Sequence, residues 1–264
     1  FPNTAAGYLV DDLGIEEGLL SKRLVNFVNN FIIKDYFEKN FGLSALHIFP
    51  ITLIASAKPY LDLINVKYTI APADLDQIRT KTSLPDLPDP FYDKEVKIFR
   101  SPTALPRVFI VHRTIFEPDE NLLVQKMKQI SQSFRLVSII QDQPIPEITE
   151  QLATVPILDR SHAKIVKYTP NEVVVETHLE NAGFLVLGDT FHPDWKAYVN
   201  GKPSKIFFTN ALIRSVFLPA GDHVVYFRFQ PFAFYLGIAV SCLTLLLMVI
   251  CTVKKASPNS RATS

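Results

Sequence analysis

Four residues within a seven-residue stretch carry the side chains best suited to chemistry: Asp189, His192, Asp194 and Trp195, in GDTFHPDWKAYVNGKP (188–203). Two carboxylates about 5 to 9.5 Å apart would suit glycoside hydrolysis, one as acid and one as base or nucleophile. Asp189, His192 and Asp194 would bring three ligands to a metal, but no fourth stands near them, and no metal is expected. Trp195, the single tryptophan, would offer a rigid face on which a sugar could stack. A plainer reading competes with all three: aspartates fix turns, and the indole plugs a core. No Ser/His/Asp signature, phosphate-cradling glycine loop or His-Glu-x-x-His pattern occurs. His112, His162, His178 and His223 are scattered along the chain. The structural reading is therefore preferred, with no catalytic residue and no cofactor assigned.

The elements around this stretch are legible from alternation and turn chemistry. After Ser161 the segments AKIVKY, EVVVETH, GFLVLGD, WKAYV, SKIFF, ALIRSVF and HVVYFRF read as seven short strands. The turn signals TPN, ENAG, NG, TN and PAGD separate them. Such spacing predicts an antiparallel sandwich. Asn200-Gly201 is the strongest hairpin signal, because both central positions of a type I′ turn need positive φ. Trp195, Ala197 and Val199 then share one face of their strand.

Upstream, Leu20, Leu24, Phe27, Val28 and Phe31 recur at helical spacing. YLDLINVKYTI reads as a helix ended by Asn65 and followed by a strand alternating through Val66, Tyr68 and Ile70. EVKIFR, RVFIVH and LVSII read as strands around a helix capped by Asp119, with Leu122, Leu123, Met127 and Ile130 on its buried face. The proline-rich stretches 83–90 and 143–147 read as connections. The run 42–57 is apolar but too short to span a bilayer, and reads as core. The fold class expected is thus α+β: small α/β layers over 1–150, an antiparallel β-sandwich over 151–230, a transmembrane helix over 231–253 and a tail over 254–264.

From Pro231 to Val253 the chain is uncharged. A helix of that length reaches roughly 34 Å, against a hydrocarbon core of about 30 Å. Phe232, Phe234 and Tyr235 mark one end as interfacial aromatics do, and Lys254, Lys255 and Arg261 follow the other. The positive-inside rule puts the tail in the cytoplasm and the large N-terminal part outside. Lysine and arginine total 27 against 26 acids, with no basic stripe, so no nucleic-acid partner is expected. Both cysteines, Cys242 and Cys251, fall in the apolar segment, which leaves the rest without disulfides or thiolate metal sites. The chain starts at Phe1 rather than methionine and is expected to be the back part of something longer.

Read together, Phe191, Pro193 and Trp195, then Gly201, Asn210 with Arg214, and Leu218 to His223 before a last apolar helix, resemble the end of the bacterial YfhO-type membrane proteins. Leu63, Asn65, Val66, Lys67 and Tyr68 are similar to an earlier Leu-Asn-Val-Lys-Tyr element of that family, and Leu105, Pro106 and Arg107 to its Leu-Pro-Arg strand start. Asp194 departs from the glycine frequent in relatives, which leaves the shape of that turn open. The resemblance implies a polytopic bacterial membrane protein of glycosyltransferase-C-like architecture, acting on lipid-linked sugars and cell-envelope polymers. The family's catalytic acid lies in an early extracytoplasmic loop that this chain does not contain.

Besides an enzyme using Asp189, His192 and Asp194, which ranks last because turn chemistry accounts for these residues, two functions are weighed. One is an accessory, non-catalytic extracytoplasmic region in the bacterial cytoplasmic membrane. Its partners would be the bilayer, the missing N-terminal transmembrane body and a cell-envelope glycan or lipid-linked sugar. The alternative is a single-pass membrane-anchored binding or scaffold module. Asp189, His192, Asp194, Trp195, Asn210 and Arg214 are the candidate residues for glycan binding or for a structural turn.

Overall fold

The structure is a computed structural model that describes residues 22–32, 54–74, 89–152 and 160–256. Leu20, the run 42–53, the prolines of 83–88 and the tail beyond 256 lie outside the described residues.

Among the described residues, β1 (Tyr68–Pro72), β2 (Tyr92–Asp93) and β3 (Val96–Arg100) form a small antiparallel sheet. Helix α1 (Lys22–Phe27) runs into a wider turn at Val28–Ile32, and α2 (Ile54–Leu63) precedes β1. Asn65 follows α2 with φ 63°, the left-handed conformation that asparagine tolerates and that stops a helix. Strands β4 (Val108–Val111) and β5 (Arg113–Phe116) lead to α3 (Glu120–Gln129), β6 (Val137–Ile140) and α4 (Pro146–Leu152). Then follow β7 (His162–Thr169), β8 (Glu172–Leu179), β9 (Gly183–Thr190), β10 (Trp195–Val199) and β11 (Lys202–Ser204). The last elements are β12 (Phe207–Thr209), β13 (Ile213–Leu218), β14 (Gly221–Phe229) and α5 (Phe232–Ala256).

The fold is α+β, as the sequence predicts, and the sandwich is built from two sheets. One has the order β11-β10-β14-β8-β7, the other β4-β9-β13-β12-β6-β5. Val173, Val175, Val225 and Phe227 from the first meet Leu185, Leu187, Val216 and Leu218 from the second in one buried cluster. Each such side chain removed from water contributes about 1.5 to 3 kcal/mol. The opposite face of the six-stranded sheet is covered by helices. Phe184, Val186, Ile139 and Phe207 pack there with Phe27, Phe31, Leu123 and Met127. Strand β9 is buried on both faces, so it reads as a continuous apolar run rather than an alternation.

Strands on either side of residue 150 share this second sheet. β4 pairs antiparallel with β9, and Thr209 of β12 sits opposite Ile140 of β6. The edges of β9 and β12 carry unpaired backbone groups, and the earlier strands satisfy them. β5 pairs in parallel with β6, the crossover being α3.

Asp119 caps α3, its Oδ1 accepting the Leu122 N–H at 2.8 Å. Leu123 and Met127 are buried as expected, but Leu122 is 47 % exposed. The two neighbouring leucines sit about 100° apart on the helix, and only Leu123 faces the sheet. The connection at 143–147 holds the start of a helix, with Pro146 at the first helical position, where its missing N–H costs nothing. The stretch read as one strand SKIFF is split into β11 and β12, which belong to different sheets. Helix α5 carries the apolar segment Phe232–Thr252, of mean hydropathy 2.5 and unburied by the rest of the chain.

Two turns are type I′. Asn200 and Gly201 adopt φ 50° and 79°, and Asn210 and Ala211 adopt 49° and 59°. The second turn closes through the Leu212 N–H to Thr209 O at 3.2 Å. A Cβ at Gly201 would meet open space, so backbone conformation alone decides its cost. Gly201→Ala should destabilise by about 1 kcal/mol and Ala211→Gly should stabilise by about the same, since a left-handed residue other than glycine costs about 1 to 2 kcal/mol. Urea midpoints of the two variants, read against the unsubstituted chain, measure both signs.

Candidate functional site

The candidate residues gather at one end of the sandwich, where β9 and β10 meet. Along β9 the side chains alternate: Phe184 and Val186 point to the helices, Leu185 and Leu187 to the other sheet. Asp189 continues the second set. On β13, Arg214 is followed by Val216 and Leu218 on the same inter-sheet face. The register jumps from Ile213↔Thr190 to Arg214↔Leu187, so Gly188 and Asp189 bulge out of the ladder. The displaced Gly188 N–H bonds to Arg107 O at 2.7 Å instead. A bulge re-aims side chains, and here it turns the Asp189 carboxylate onto Arg214.

Arg214 is 1 % exposed, and the largest of the fully buried side chains. Its Nη2 donates to Asp189 Oδ2 at 2.8 Å and its Nη1 to Thr190 O at 2.9 Å. The guanidinium carbon lies 4.0 Å from the centroid of the Trp195 ring and 5.6 Å from that of Phe227. Burial pushes the Arg214 pKa down to about 10, while Asp189 and then Tyr168 act in the opposite direction. The group therefore stays charged at neutral pH and needs its anion.

Asp189 serves more than Arg214. Tyr168 Oη donates to its Oδ1 at 3.1 Å, and Arg107 Nη1 approaches the same oxygen at 3.4 Å. Arg107 also donates to Tyr168 Oη and lies 4.9 Å over that ring. The Tyr168 phenol is raised above its ordinary range, by burial first and then by the Asp189 charge. The Asp189 carboxylate thus accepts from Arg214 and Tyr168 and lies within reach of Arg107.

His192 and Asp194 form a separate, local pair. The Trp195 N–H donates to His192 O at 3.1 Å, closing a turn with Pro193 at its second position. Asp194 keeps a negative φ, so its turn needs no glycine. Its N–H donates to His192 Nδ1 at 3.2 Å, and Oδ2 lies 3.7 Å from the same nitrogen. Among the described residues, no group of three or more His, Cys, Asp or Glu is arranged to hold a metal ion.

Trp195 is partly buried at the margin of the inter-sheet cluster, its ring 5.4 Å from Phe229. Asn210 stands apart from these contacts. It is fully buried in its turn, where Oδ1 accepts the Ile139 N–H at 2.8 Å and ties β12 to β6. The structure therefore brings Asp189, Trp195 and Arg214 together, and adds Arg107 and Tyr168. Arg107 belongs to the Leu-Pro-Arg element noted in the sequence, but nothing in the spacing points to its partnership with Tyr168.

Beside this end, α1, α3 and the tip of β9 enclose a cleft of about 710 Å³. Asn26, Asn30, Gln141 and Gln143 line it with amides, and Arg23 lies 4.9 Å over Phe191 and 5.1 Å over Phe208.

The family model described as bacterial membrane protein YfhO matches residues 149–241, from within α4 through β7 to β14 and into α5. The resemblance read from the motifs agrees with this match: over 149–241 the chain is similar to a bacterial membrane protein family. The Asn65 and Arg107 elements lie before the matched stretch. No curated protein and no solved structure matches the chain.

Asp189→Asn should cost about 3 to 5 kcal/mol, because it leaves a buried cation without its anion. Arg214→Met in the Asp189→Asn background should restore a large part of that loss. A double-mutant cycle by urea unfolding should give a coupling above about 1 kcal/mol. Simple additivity would mean that the pair is not coupled as its geometry requires.

Proposed function

We propose, from the match of residues 149–241 to the bacterial membrane protein family YfhO and from the apolar helix α5, that this chain is an accessory region of a larger membrane protein. In this reading the sandwich lies outside the bacterial cytoplasmic membrane, α5 crosses it, and the tail from 254 is cytoplasmic. The region guides a cell-envelope glycan or lipid-linked sugar while the transfer chemistry occurs elsewhere. The observation that carries the non-catalytic part is the state of Asp189. It is held by Arg214, Tyr168 and Arg107, so one of the two carboxylates weighed for catalysis is already bound.

Further support comes from the cleft beside α1. Gln141 and Gln143 offer amides to sugar hydroxyls there, while Asn26 and Asn30 donate to Glu120 and to the Asn26 carbonyl, and Arg23 lies over Phe191 and Phe208. Its volume of about 710 Å³ falls in the range of small-ligand sites.

Protease added to intact spheroplasts should digest the sandwich and leave a C-terminal tag on residue 264 protected. Protection of the sandwich with loss of the tag would reverse the orientation. In cells carrying the whole protein, Asp194→Asn should leave sugar incorporation into envelope polymers unchanged, whereas removing the sandwich should reduce it. Loss of incorporation with Asp194→Asn in a folded protein would make the turn catalytic and overturn the reading.

A further inference from the structure

The turn that holds His192, Asp194 and Trp195 is bonded to Gln230, two residues before the apolar helix. Trp195 lies opposite Phe229 in the β10–β14 ladder, and the Gln230 N–H donates to Asp194 O at 2.9 Å. Only Gln230 and Pro231 separate Phe229 from Phe232, the first residue of α5. The junction is ordered. Phe234 N–H and Tyr235 N–H both donate to Pro231 O, at 3.1 and 3.4 Å, so the helix begins on the end of the strand.

Chain length then fixes depth. Three residues extend at most about 11 Å and two at most about 7 Å. The 21 residues Phe232–Thr252 reach about 31 Å as a helix, which fills a hydrocarbon core of about 30 Å. The headgroup zone adds about 5 to 7 Å on each side. If α5 spans, Phe229 and the turn beside it have nowhere to be but in or against that zone.

The chemistry of the turn suits the position. His192, with its side chain 49 % exposed, and the Trp195 ring both pack on Phe229, at 5.6 and 5.4 Å. Aromatic rings with a polar edge are the side chains that the membrane interface favours. On the outer face of the same strand ends, Lys196 lies opposite Arg228, and Arg228 opposite Glu172, which also accepts from Lys167. Lys167 and Arg228 thus act on one carboxylate, while Lys196 Nζ donates to Pro193 O at 3.3 Å. Two like charges in direct cross-strand opposition are unfavourable in water and are relieved by phosphate anions.

We propose that this end of the sandwich is a membrane seat: the turn Phe191–Trp195, with Phe229, Lys196 and Arg228, rests in the phospholipid headgroup layer. The sandwich is then held down on the bilayer rather than carried on a tether. This inference rests on α5 spanning the membrane, and the test separates the two claims.

The single tryptophan makes the test direct. The chain is reconstituted into vesicles of phosphatidylcholine and phosphatidylglycerol that carry a quencher either near the headgroup or deep in the acyl chain. Trp195 should lose most of its emission to the shallow quencher and little to the deep one. Two reporters in a Trp195→Phe background calibrate the reading. Leu243→Trp, in the middle of α5, should be quenched by the deep label. Tyr198→Trp, about 10 Å further along β10, should escape both. Deep quenching of Leu243→Trp with no lipid quenching of Trp195 would overturn the seat while leaving the span intact. Failure of the deep label to reach Leu243→Trp would overturn the span and the seat together.

Discussion

A guanidinium buried between two sheets needs an anion, and much of this sandwich is arranged around that requirement. Arg214 comes from the six-stranded sheet, as does its partner Asp189. The groups that close over them, Trp195, Phe227 and Tyr168, come from the five-stranded sheet. The charge thereby ties the layers at the end where the apolar cluster runs out. An ion pair in such a place is weak grounds for stability, because desolvation offsets its attraction, but removing one partner is costly. The bulge at Gly188 and Asp189 exists in the same service. Without it, regular pairing would carry Asp189 past the guanidinium rather than onto it.

That constraint also separates structure from chemistry in the stretch 188–203. Asp189, His192 and Asp194 look like a catalytic or metal-binding group when read as a string of letters. In three dimensions they divide. Asp189 belongs to the buried cation, and His192 and Asp194 belong to a turn with proline at its second position. Trp195 links the two groups, with Arg214 over its ring and Phe229 5.4 Å away, where the chain leaves for the apolar helix.

Much of this was legible beforehand because it depends on local rules. Alternation located the strands after 161, Asn200-Gly201 announced a type I′ turn, and Asp119 announced a helix start. Local rules fail where a partner is distant. Nothing in Val108–Val111 or Val137–Ile140 says that these strands flank β9 and β12, about 70 to 80 residues later. Leu122 and Leu123 are equally apolar, and only the packed sheet tells them apart. Arg107 and Tyr168 carry no mutual signal, since they meet only when β4 and β7 close on the same end of the sandwich. Thr209-Asn210 signals the second turn, but not the left-handed Ala211 within it, because alanine rarely accepts positive φ.

The central claim is that strands from both halves of the chain, joined across the inter-sheet core and by the Arg214 cluster, open only together. Native-state hydrogen exchange tests it most directly. The amides of β4 and β6 should exchange with the same opening free energy and the same urea dependence as those of β8, β13 and β14, as one cooperative unit. Exchange of β4 and β6 through a separate, lower-energy opening, with the other strands still protected, would contradict it.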